Sequence, residues 1–368
     1  MPITIINDLL SNFNPAYNDS YIEFTTDLTG VTPMATITLS TGEVFKIQGY
    51  SHKYFFNFKN IITSKINQNN FKDLLIPNLY TSSIYDDNTL TYTLTFTIAI
   101  DTLSLTKSYK FTKNVEQLIG YNDKINSSNS IKILLPSRNN IDYYLPYFEG
   151  FPLDFAINGL INTDTFFIKN QSTFNQSDTI TVTTDKAKRI YVSDGANNEF
   201  LTNVIGLSST INKCEIYTNG LFKANLQIKR NESRCGVYLK WFNSAGAYSY
   251  WLFEQVSNNI TTSTIDEISS VDNNLQFLIG DSQITGKKGE RKLNITTNFK
   301  QYEQDYISDI LTSPFVQMYI YNEPFRQMTP YSFINVKVSD GSMKFQSKNS
   351  NYKMSIVLEL PNITTQTL

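Results

Sequence analysis

Histidine and cysteine are nearly missing from this chain, which has one of the first and two of the second among 368 residues. A single histidine, His52, cannot supply the several imidazoles of a common metal centre, and no Gly-x-Ser-x-Gly stretch offers it a nucleophile. Cys214 and Cys235 are too few for a disulfide scaffold and read as small buried hydrophobes. Charge is scarce as well: 17% of residues are charged and the formal net charge is −2. That balance leaves no electrostatic footprint for nucleic acid. No run approaches the roughly 18 consecutive apolar residues of a membrane-spanning helix, so no membrane partner is expected. The opening MPITIINDLLSNF lacks a basic stretch followed by an apolar one. No secretory signal is therefore expected, and the chain reads as made and folded in a cytoplasm.

What the chain does have is aromatic residues, at 14%, within a hydrophobic fraction of 40%. This excludes a disordered chain, and the length allows two or three domains. The densest aromatic stretch is GVYLKWFNSAGAYSYWLF, from Gly236 to Phe253. Its spacing predicts a β-hairpin with strands Val237–Phe242 and Tyr248–Phe253 around Asn243-Ser244-Ala245-Gly246, with Gly246 free to take a positive φ. Period-two alternation leaves neither strand with a plainly polar face, so the hairpin should be covered on both sides, by a second layer or by another subunit. Tyr238, Trp241, Phe242, Tyr248, Tyr250 and Trp251 are the candidate interface residues. The competing possibility is an exposed platform that stacks on sugar rings or bases.

Elsewhere the pattern predicts a mainly β protein with a few short helices: β-sandwich-like domains followed by a C-terminal α+β unit. The expected domains are 1–125, 126–260 and 261–368, with the polar stretch Asp123–Ser130 as linker. In the first, Tyr21–Thr26, Ala35–Leu39 and Val44–Ile47 read as strands. Asn57 is a possible N-cap for a helix carrying Phe58, Ile61, Ile62 and Ile66. TLTYTLTFTIAI and LTKSYKF follow as strands, then a short VEQLI helix after Asn114. Pro136, Pro146 and Pro152 suggest edge strands or bends in the second domain. In the third, Phe299, Tyr302, Tyr306, Ile310 and Leu311 predict one strong helix ended by Ser313-Pro314.

Chemistry-bearing clusters are sparse. Asp86-Asp87 looks like a loop, Asp266-Glu267 like a helix start, and Glu303, Asp305 and Asp309 like the polar face of the predicted helix. Each reads as solvated rather than as a catalytic carboxylate pair. The basic run Lys287-Lys288, Arg291-Lys292 reads as a solvated loop. The oxygen-rich turn Ser193–Glu199 lacks the spacing of a calcium loop. No catalytic residue, metal site or cofactor is expected.

Three segments carry a resemblance: LLPSRNNIDYYLPYFEGFPLDFAI, CGVYLKWFNSAGAYSYWLF, and RKLNITTNFKQYEQDYISDILTSPFVQMY with SFINVKV beyond it. In this order they resemble virion structural proteins of tailed phages that infect Bacteroidetes, over roughly residues 131–360. The chain departs from that pattern at Ala245-Gly246-Ala247, where a Gly-Gly pair with an aromatic is commoner. The resemblance implies a non-enzymatic tail, ring, baseplate or fibre-adaptor protein. Its expected partners are copies of itself and other phage tail proteins, in a virion assembled in the bacterial host cytoplasm. The alternative is a glycan-binding adhesin that uses the hairpin on a host surface glycan.

Overall fold

The computed structural model describes residues 3–9, 14–75, 83–115, 131–137, 141–195, 204–208, 211–232, 235–271, 280–320, 332–344 and 351–361. The chain is mainly β and forms two units: Met1–Glu232 with Phe242–Ser249, and Ser233–Trp241 with Tyr250–Leu368.

Unit one begins with β1 (Ile3–Asn7), β2 (Asn14–Pro15), β3 (Tyr21–Thr26), β4 (Met34–Leu39), β5 (Val44–Gln48) and β6 (Lys53–Asn57). Helix α1 (Lys59–Ile66) and strands β7 (Ile84–Asp87), β8 (Thr91–Ile100) and β9 (Leu103–Thr112) follow. One sheet has the order β1-β3-β6 and a second β2-β9-β8-β4-β5. Alternation along β3, β4 and β8 sends Ile22, Phe24, Ile37, Phe96 and Ile98 into one shared core. Ile62 and Ile66 of α1 join it, and the Phe58 and Phe96 rings meet at 4.6 Å. Asn57 accepts a hydrogen bond from the Lys59 amide at 3.0 Å, one residue ahead of the observed N-cap, Phe58. His52 sits at φ 60° in the tight turn between β5 and β6.

The rest of unit one is a second pair of sheets. Its strands are β10 (Lys132–Ile133), β11 (Asp142–Phe148), β12 (Pro152–Asn158), β13 (Thr165–Asn170), β14 (Ile180–Thr181), β15 (Ala187–Asp194), β16 (Ile211–Thr218) and β17 (Leu221–Asn231). They form the orders β10-β12-β15-β7 and β11-β17-β16-β13-β14. Pro146 lies on an edge strand, β11, and Pro152 opens β12, both places where a missing N–H is tolerated. Strand β7 comes from the first expected domain yet pairs with β15 in this sheet. Asp86-Asp87 is therefore strand, not loop. The linker Asp123–Ser130 and the VEQLI helix beyond Val115 lie outside the described residues.

Unit two contributes one seven-stranded sheet. It contains β18 (Val237–Phe242), β19 (Tyr248–Phe253), β20 (Gln255–Val271), β21 (Gly280–Lys300), β22 (Val316–Ile320), β23 (Ser332–Lys344) and β24 (Asn351–Glu359), in the order β19-β18-β22-β23-β24-β21-β20. The tip of the β18–β19 hairpin, 242–249, counts with unit one. The expected boundary at 260 falls inside β20. Asp266-Glu267 sits at a bulge of that strand and Lys287–Lys292 lies within β21, so neither the helix start nor the loop is found.

The expected strong helix is a short one, α2 (Gln304–Ser308), flanked by 3-10 turns at Gln301–Glu303 and Asp309–Leu311. Phe299 still belongs to β21 and Tyr302 is 48% exposed, so the apolar stripe is only Tyr306, Ile307 and Ile310. Glu303 is buried rather than solvated. Its carboxylate accepts the Lys300 amide hydrogen at 2.7 Å and so satisfies an orphan donor of the first turn.

Candidate functional site

The aromatic hairpin forms with the strand bounds read from the sequence, and Gly246 in its turn takes φ +94°. All six candidate residues are buried: Tyr238, Trp241, Phe242, Tyr248, Tyr250 and Trp251 leave between 0 and 4% of their surface exposed. This corrects their assignment as interface anchors. A side chain whose surface is already covered within its own chain has none left for a partner or a sugar ring. Replacing Trp241 therefore acts on folding first, not on assembly.

The partners that cover the hairpin explain why both faces are apolar. Within unit two, Trp241 and Trp251 lie around the Tyr306 ring of α2, at 6.0 and 6.5 Å between centroids. The Tyr306 hydroxyl accepts the Tyr250 amide hydrogen at 3.0 Å, and the Trp251 indole N–H donates to Thr297 Oγ1 at 3.1 Å. On the other face Tyr238 stacks with Tyr250 and meets Tyr319 edge-on. The Lys240 ammonium lies 5.0 Å over the Phe333 ring, a cation–π contact between a buried lysine and a half-buried ring.

The tip is held within unit one. Phe242 packs against Phe71 at 4.9 Å, and the Tyr248 hydroxyl donates to the Phe71 carbonyl at 3.2 Å. The Val115 amide donates to the Ser244 carbonyl at 2.8 Å, and Asn243 Nδ2 donates to the Leu134 carbonyl at 3.2 Å.

Tyr248 also leads to the charge centre that the sequence did not reveal. Its ring lies 4.8 Å from the Arg189 guanidinium carbon, with Tyr191 at 5.7 Å on the same guanidinium. Arg189 is 1% exposed and holds three buried carboxylates. Nη1 donates to Asp73 at 3.0 Å and to Asp87 at 3.3 Å, and Nη2 donates to Asp73 at 3.1 Å and to Asp154. Asp87 accepts further from the amide and hydroxyl of Thr89. Burial and the surrounding carboxylates push both tyrosine hydroxyls well above their ordinary range, so they stay protonated. The centre joins β7, β12, β15, the segment before β7 and the hairpin tip. It positions these elements, and its carboxylates face the Arg189 guanidinium. Among the described residues no group of three His, Cys, Asp or Glu side chains is arranged to hold a metal ion.

Beside this centre, burial pulls the Lys113 ammonium down to about 8, against an opposing pull from Asp87. Lys113 donates to the Asn70 carbonyl and lies 5.5 Å over the Phe71 ring. Above pH 8 the folded chain releases this proton while the unfolded chain keeps it to about pH 10.5. Stability contributed by Lys113 therefore rises through that window. Urea unfolding at about pH 7.5 and 9.5 should show wild type gaining on Lys113→Met as pH rises; equal pH slopes would refute the shift.

The remaining candidates are ordinary. Cys214 is buried, its thiol pushed up to about 12 by burial. Cys235 is exposed, against expectation, because it precedes the hairpin rather than lying in a strand. His52 Nε2 lies 3.2 Å from the Gly30 carbonyl and faces no nucleophile among the described residues. In unit two a cleft of about 490 Å³ gathers Lys288, Arg291, Lys292 and Lys337 with Glu290 and Glu359.

No protein-family model matches the chain, and no curated protein matches it in sequence. Among solved structures, it is similar to the fibronectin(III)-like modules of Clostridium thermocellum CbhA at 7% identity and TM-score 0.18, covering 63% of this chain and 95% of that one. It is similar to Dpr2 Ig1–Ig2 in complex with DIP-Theta Ig1–Ig3 at 9% identity and TM-score 0.22, covering 99% and 91%. An endo-fucoidan hydrolase of glycoside hydrolase family 107 matches at 10% identity and TM-score 0.17, covering 80% of this chain and 42% of that one. Scores this low carry no argument about function, and the β architecture stands on the sheets themselves.

Proposed function

We propose that this chain is a non-enzymatic structural subunit of a tailed-phage particle, a tail, ring, baseplate or fibre-adaptor protein. In this role it joins a symmetric oligomer and positions neighbouring tail proteins. The observation that carries the proposal is the ribbon of β20 and β21. Gly280–Lys287 of β21 runs beyond its pairing with β24, which starts at Lys292, and among the described strands only β20 pairs with it. Every side chain from Gln255 to Ser269 of β20 is exposed, Val256, Ile260, Ile265 and Ile268 among them, at 45–57%. A two-stranded ribbon exposed on both faces is marginal in water on its own, which fits a chain completed by assembly. The resemblance of residues 131–360 to phage virion proteins supplies the kind of assembly. A glycan-binding role for the hairpin loses its platform, because its rings are core.

Mass spectrometry of purified particles from a phage encoding this chain tests the proposal. The chain should be present in a fixed ratio to tail proteins and cross-linked to them. Its absence from intact particles would refute the proposal.

A further inference from the structure

Each sheet ends in strands that leave a row of unpaired N–H and C=O groups, and proteins usually blunt such edges. The described edges here are blunted in recognisable ways. β1, β5 and β6 are five residues long, β7 four, and β2, β10 and β14 two. β11 carries Pro146, and β19 has every side chain buried. β20 differs from all of them. It runs for 17 residues with no proline, no lysine and no glycine, and no described strand pairs with its outer edge. Its one interruption is the bulge around Thr264–Glu267.

From this edge we infer that β20 pairs antiparallel with β20 of a second copy, forming a two-fold dimer by joining two sheets. The charge pattern favours a second copy as the occupant. β20 carries acid but no base, at Asp266 and Glu267, towards one end. β21 carries Arg291 and Lys292, paired with Ile260 and Asn259 towards the other end of β20. Antiparallel pairing about the middle of the strand, near Thr262, turns one copy end for end against the other. Counted through the bulge, which leaves Ile265 unpaired, Asp266 and Glu267 of each copy then lie beside Asn259 and Asn258 of its mate, whose β21 neighbours are Lys292 and Leu293, with Arg291 one row further on. Both halves of the contact repeat the same attraction, as a two-fold interface requires. Head-to-tail joining of β20 to β19 of the next copy is disfavoured, because β19 is buried. Main-chain bonds along the edge supply affinity, and the charges set direction and register.

This inference deepens the assembly reading and rests on it for its purpose, but it is tested apart from it. Light scattering and sedimentation of the full-length chain over a concentration series should show a monomer–dimer equilibrium. Asp266→Lys/Glu267→Lys and Arg291→Glu/Lys292→Glu should each weaken self-association at least tenfold, since each brings like charges together across the intervening β20 strand. Mixed together, the two variants should restore a dimer, because every contact is again between opposite signs. In a Cys235→Ser background, Thr262→Cys should form an intermolecular disulfide under mild oxidation, a readout that does not depend on the charge variants. A wild type that stays monomeric at all concentrations would overturn the inference and leave the particle-composition test untouched. A dimer that both charge variants retain, or no restoration on mixing, would overturn it as well by naming a different occupant of the edge.

Discussion

Arg189→Ala is expected to be the most damaging single substitution in unit one. Alanine removes the guanidinium facing Asp73, Asp87 and Asp154 and leaves their carboxylates buried at 8, 3 and 3% exposure. Breaking one buried pair this way costs about 3–5 kcal/mol, because the remaining charge stays buried without its counter-ion. Three carboxylates lose this cation at once, so the upper end of that range is the expectation. At a few degrees per kcal/mol for a unit of this size, the melting temperature should fall by about 10 °C or more. Arg189→Lys should recover only part of the loss, since an ammonium cannot make the paired bonds from Nη1 and Nη2 or lie flat against Tyr248. Lys59→Ala is the control: Lys59 and Asp19 form an exposed pair at 3.5 Å, worth at most about 1 kcal/mol. Thermal scans of the three variants suffice, and an Arg189→Ala melt within the error of the Lys59→Ala melt would contradict the role assigned to the charge centre.

Gly246→Ala should also destabilise strongly, and Gly42→Ala should do so much less, although the two glycines share a backbone conformation. Gly246 has φ +94° and Gly42 +97°, a region that costs a residue with a Cβ about 1–2 kcal/mol. The difference is what surrounds them. A Cβ at Gly246 would stand 2.7 Å from the Lys113 carbonyl carbon and 2.9 Å from the Asn114 nitrogen, whereas nothing lies within 4 Å of one at Gly42. Backbone cannot rotate away as a side-chain end can, so the tip must lift, straining the Val115–Ser244 hydrogen bond. Overpacking of this kind adds about 1–3 kcal/mol to the conformational cost. Denaturant midpoints should separate the two variants by that increment, and equal midpoints would show that the tip does not dock on 113–114 as described.

Strand periodicity made much of the fold legible. β3 and the hairpin strands have the bounds that alternation predicted, because each has clear apolar positions between turn residues. β20 was not legible, for a physical reason: Ser, Thr and Asn occupy both of its faces, so no period marks it as a strand. The α2 stripe was overread because Phe299 and Tyr302 fall at helical spacing by coincidence, one in a strand and one in water. The charge centre assembles from segments as far apart as Asp73 and Arg189, and each charge alone resembles a surface residue. A signal was nonetheless present. Asp154 stands between Leu153 and Phe155, and Arg189 precedes Ile190-Tyr191-Val192, so both interrupt runs that otherwise read as buried. The hairpin's aromatic density was plain in the sequence, but composition alone left open whether its own chain or a partner covers it.

Tryptophan emission tests the central claim, that the aromatic hairpin is built into the chain rather than offered to a ligand. Trp241 and Trp251 are the chain's two tryptophans, so the signal reports on the hairpin alone. The native protein should emit at shorter wavelength than its urea-unfolded form and resist acrylamide quenching. Host surface polysaccharide should leave both properties unchanged. Emission and quenching close to those of the unfolded chain, or a shift on adding the polysaccharide, would contradict the account.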